Sequence, residues 1–114
     1  GKYDAIIIDV FVDTQVPEAF QTTKIAQLLH DHLTAKGVVL MNIIASIQGM
    51  HRAPLRNQIA CLQTIFQHVT VFPAAVSLAS AARQNFIVAA SESEQRLESF
   101  LPEVPLVLTD DFWR

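Results

Sequence analysis

The sequence is short of several things. It holds one cysteine, three glycines and eight basic residues among 114, and no apolar run reaches the roughly 18 residues that a membrane-spanning helix needs. A single thiol, Cys61, cannot close an internal disulfide, so the chain is no disulfide-stapled secreted scaffold and is compatible with a reducing cytosol. Eight Lys and Arg against eleven Asp and Glu leave a net charge of −3. Dispersed cations on an acidic chain do not make the clustered basic face that releases counterions from nucleic acid, so nucleic acid is not an expected partner. Nor is a membrane. There is no G-x-S-x-G, phosphate loop or G-x-G-x-x-G fingerprint, and Gly37 and Gly49 are too isolated to cradle a phosphate. The opening GKYDAIIID runs from a polar start straight into a strand-like segment, unlike a secretory leader. It begins at Gly1 without a methionine, and reads as cut from something longer.

What remains is apolar. At 51% hydrophobic and 17% charged, residues 1–114 can bury a core, and their length allows one domain at most. Ala5–Val10 (AIIIDV) is a short β-branched run of the kind found in parallel strands covered on both faces, which predicts a central strand. Phe20, Ile25, Leu28, Leu29 and Leu33 then recur at helical spacing, with Gly37 as the stop. A second buried-type strand, VVLMNII, follows over 38–44. Leu55, Ile59, Leu62 and Phe66 at 4-3-4 spacing mark a second helix, VTVF at 69–72 a third strand and NFIVAA at 85–90 a fourth. Leu97, Phe100 and Leu101 suggest a short helix, and the tail after it is too interrupted by proline to assign.

The resulting order, β-α-β-α-β-β, is that of an α/β protein with a mainly parallel sheet. Only about a dozen residues without a helical stripe separate the last two strands, which favours an antiparallel last strand over another crossover. An antiparallel final strand marks the methyltransferase variant of the Rossmann-like doubly wound sheet. No repeat or linker divides the chain; residues 1–91 form the core and 92–114 a helical or extended tail.

In open α/β sheets ligands bind beyond the carboxyl ends of the strands, and Asp9 stands at that end of the first. A carboxylate ending an apolar strand loses hydration unless it meets a partner, water or a cationic ligand, so its position suggests use. With Asp13 and Glu18 it could form an acidic rim suited to an amine, Asp9 accepting a proton or orienting the nucleophile. Asp13 also suits a turn and Glu18 a helix start, roles that need no ligand. Asn42, late in the second strand, could touch a ligand or satisfy backbone groups where the sheet frays. His30 and His32 lie two apart on a helix and point to different faces, and His51 and His68 lack companions at ligand spacing, so no metal site is expected. Cys61 beside the second helix's stripe reads as a small packed hydrophobe rather than a nucleophile.

Taken in order, YDAIIIDVF, VPEAF leading into a helix, LTAKGVVLMN, IFQHVTVFP and NFIVAAS resemble the carboxyl-terminal half of the spermidine synthase family, which has the S-adenosylmethionine-dependent methyltransferase fold. The resemblance runs to about residue 91, and the late LTDD is similar to the tail of such proteins. It implies aminopropyl transfer from decarboxylated S-adenosylmethionine to putrescine, with Asp9 matching the aspartate that deprotonates or orients the attacking amine; Asp13 and Asn42 stay substrate-side candidates by their own positions. The family's motif usually reads D-S-S-D-P-x-G-P, whereas Asp9 is followed here by Val10, Phe11 and Val12, with Asp13 one place beyond the expected second acid. That is the pattern of a divergent member.

The family's cofactor-binding half lies upstream of what this sequence contains, so no cofactor is expected to bind this chain alone. Decarboxylated S-adenosylmethionine or S-adenosylmethionine would be the co-substrate of an intact, cytoplasmic transferase acting on a small amine. The isolated chain is expected to be inactive and to self-associate through an exposed first strand. Two alternatives stay open: part of a methyltransferase with another acceptor, and a non-catalytic self-associating α/β module.

Overall fold

A computed structural model describes residues 1–9, 22–45, 52–73, 84–93, 108 and 110–113. Seven elements follow one another: β1 (Tyr3–Ile8), α1 (Thr23–Asp31), β2 (Leu33–Ala45), α2 (Ala53–Gln63), β3 (His68–Pro73), β4 (Gln84–Ser91) and α3 (Asp110–Trp113). The expected β-α-β-α-β-β order is present. The four strands make one sheet in the order β1-β2-β4-β3. β1 and β2 are parallel, and β4 lies between β2 and β3, antiparallel to both. Three strands therefore run one way and the last runs against them, the half-sheet of a Rossmann-like methyltransferase fold.

The sheet's two faces are unequal. Along β2, Val39, Met41, Ile43 and Ala45 are buried while Val38, Leu40, Asn42 and Ile44 are half-buried, the alternation of a pleated strand packed harder on one side. The first set joins Ile8, Phe86, Val88, Ala90 and Val71 in the main core, under Leu55, Ile59 and Leu62 of α2. Phe112 of α3 enters the same core and meets the Trp113 ring edge to face, 5.0 Å between centroids. On the other face Phe72 and Ala89 are buried with Val38, Leu40 and Ile87 packed against them.

α2 matches its sequence reading, since Leu55, Ile59 and Leu62 are buried and Phe66 caps the stripe just beyond the helix. α1 departs from it. Thr22 caps its start, accepting from the Ile25 N–H at 3.3 Å, and the helix ends at Asp31, six residues before Gly37. Its buried contact is Ala26, with Leu29 packed at the margin, whereas Leu28 is 52% exposed and Leu33 belongs to β2. Gly37 is thus no helix stop. It sits in β2, where a Cβ would lie 3.0 Å from the Tyr3 carbonyl oxygen and 2.9 Å from Leu33 Cδ2.

Among the described residues β1 lies at the edge of the sheet, and Tyr3 (58%) and Ile7 (75%) are among the most exposed large apolar side chains. An uninterrupted apolar run reports a strand built for cover on both faces, but cover depends on neighbours that β1 lacks among the described residues. Phe20, Gly49, His51 and the 97–101 helix lie outside the described residues.

Candidate functional site

The parallel pairing of β1 with β2 ends with Ile8 opposite Met41, so the next residues, Asp9 and Asn42, lie side by side where β1 ends and β2 runs on to Ala45. Thirty-three positions apart in sequence, they touch: Asn42 Nδ2 donates to Asp9 Oδ1 at 3.3 Å. The ionised carboxylate only accepts, so this bond fixes which way the amide faces and turns Asn42 Oδ1 away from Asp9. That oxygen is buried and has no hydrogen-bond partner among the described residues. A buried carbonyl oxygen without a partner costs about 1–3 kcal/mol.

Asp9 is the acceptor in this pair; it is exposed and has lone pairs beyond the one Asn42 uses. Such a group fits a ligand rich in N–H donors and carrying positive charge, and is ill suited to phosphate or carboxylate. Asn42 therefore touches a sequence-predicted site residue instead of serving a fraying sheet end. Asp13 and Glu18 lie outside the described residues.

In topology and sequence the chain resembles one kind of solved protein. The crystal structure of a probable spermidine synthase from Corynebacterium glutamicum superposes with a TM-score of 0.65 at 26% identity, covering 81% of this chain and 32% of that one. The fold is spermidine synthase-like. The chain thus spans about a third of that protein's length. No protein-family profile and no curated protein sequence matches the chain.

Other polar groups are structural. His30 Nε2 meets Glu92 Oε1 at 2.9 Å and its ring tilts against Phe66 at 5.3 Å, tying α1 to the end of β4 and to the turn after α2. Sequence spacing gave no hint of this tie, because 62 residues separate the partners. With Lys2, Asp31 and Thr34 they line a shallow cavity of about 410 Å³ at the end of the sheet opposite Asp9. Thr34 Oγ1 donates to Asp4 Oδ1 at 2.7 Å and fastens the start of β1 to β2. Cys61 is part-buried, and burial pushes its thiol above the ordinary value, as befits a packed side chain and not a nucleophile. Among the described residues no three His, Cys, Asp or Glu side chains converge as metal ligands, and no helix is long and apolar enough to cross a membrane.

Proposed function

We propose that this chain is the acceptor-side, carboxyl-terminal half of a spermidine synthase-like aminopropyltransferase, with Asp9 as its catalytic residue. The observation that carries the reading is the Asp9–Asn42 pair, an exposed carboxylate held by an amide at the carboxyl end of β1 in a spermidine synthase-like sheet. In the reaction, a neutral amine nitrogen attacks the carbon beside the donor's sulfonium. The C–N bond forms as the C–S bond breaks, methylthioadenosine leaves as a neutral thioether, and the amine must shed a proton. Asp9 lies where a carboxylate can take that proton or align the nitrogen lone pair. Asn42 holds Asp9 in place through Nδ2.

The donor needs more than this chain carries: three scattered glycines make no glycine-rich turn for its adenosyl group. Alone, the chain is inactive. Titration calorimetry with methylthioadenosine should give no heat of binding, while a diamine such as putrescine should shift the amide resonances of Asp9 and Asn42 at millimolar concentration, and Asp9→Asn should abolish those shifts. Tight methylthioadenosine binding would refute the half-site account, and diamine shifts elsewhere would refute the role of Asp9. A methyltransferase with another acceptor is the second reading, favoured by the displaced second acid, Asp13. Assaying methyl against aminopropyl transfer by the longer protein separates the two.

A further inference from the structure

We draw no further inference here: the strongest candidate, the shallow cavity at the end of the sheet opposite Asp9, lined by Lys2, His30, Asp31, Thr34 and Glu92, has its polar groups engaged, His30 with Glu92, Asp31 with Gln27 and Thr34 with Asp4, and nothing in the structure shows what would occupy it.

Discussion

Gly37 has no room for a side chain. The nearest atoms include the Tyr3 carbonyl oxygen, part of the backbone of β1, which cannot retreat without loosening the β1–β2 seam. Gly37→Ala should therefore cost about 1–3 kcal/mol, the usual penalty of overpacking, read as a lower denaturant midpoint at constant slope. Asn42 presents the opposite case. Its idle Oδ1 is a standing cost, so Asn42→Leu, on the face shared with Leu40 and Ile87, should raise the melting temperature by a few degrees while abolishing diamine-induced shifts at Asp9. For Cys61 the folded chain holds the thiol proton more tightly than the unfolded chain does, so less thiolate is present in the native state near the ordinary value of 9.0. Iodoacetamide at about pH 8.5 should alkylate native Cys61 more slowly than the urea-unfolded chain, the difference vanishing once the protein unfolds.

At the scale of elements, α1 and α2 differ in how much they hold. α2 buries Leu55, Gln58, Ile59 and Leu62, and truncating Ile59 to alanine in that packed layer should cost about 2–5 kcal/mol. α1 buries only Ala26 and leans on its Thr22 cap, so Thr22→Ala should cost about 1 kcal/mol while Leu28→Ala stays within about 0.5 kcal/mol. Chemical denaturation of the three variants checks that order. The same contrast explains which helix was legible. The spacing of Leu55, Ile59, Leu62 and Phe66 reports one face of an isolated cylinder, and α2 docks on that face. In α1 the stripe counted Leu28 and Leu33, but the chain leaves the helix at His32, so Leu33 reaches the core from β2 and the small Ala26 takes the contact.

At the scale of the whole molecule, the sheet is half of a doubly wound one. The sequence by itself determined the alternation of strands and helices, the antiparallel last strand and the place of Asp9 at a strand's end, because local periodicity and the placing of a charge at a strand's end are properties of neighbours along the chain. Only the tertiary structure decided that β4 enters between β2 and β3 and that Asn42 meets Asp9 across 33 residues with one oxygen left over. Strand order and register are set by which apolar faces meet in space, and a one-residue slip between Ile8 and Met41 would have turned Asn42 to the opposite face of the sheet.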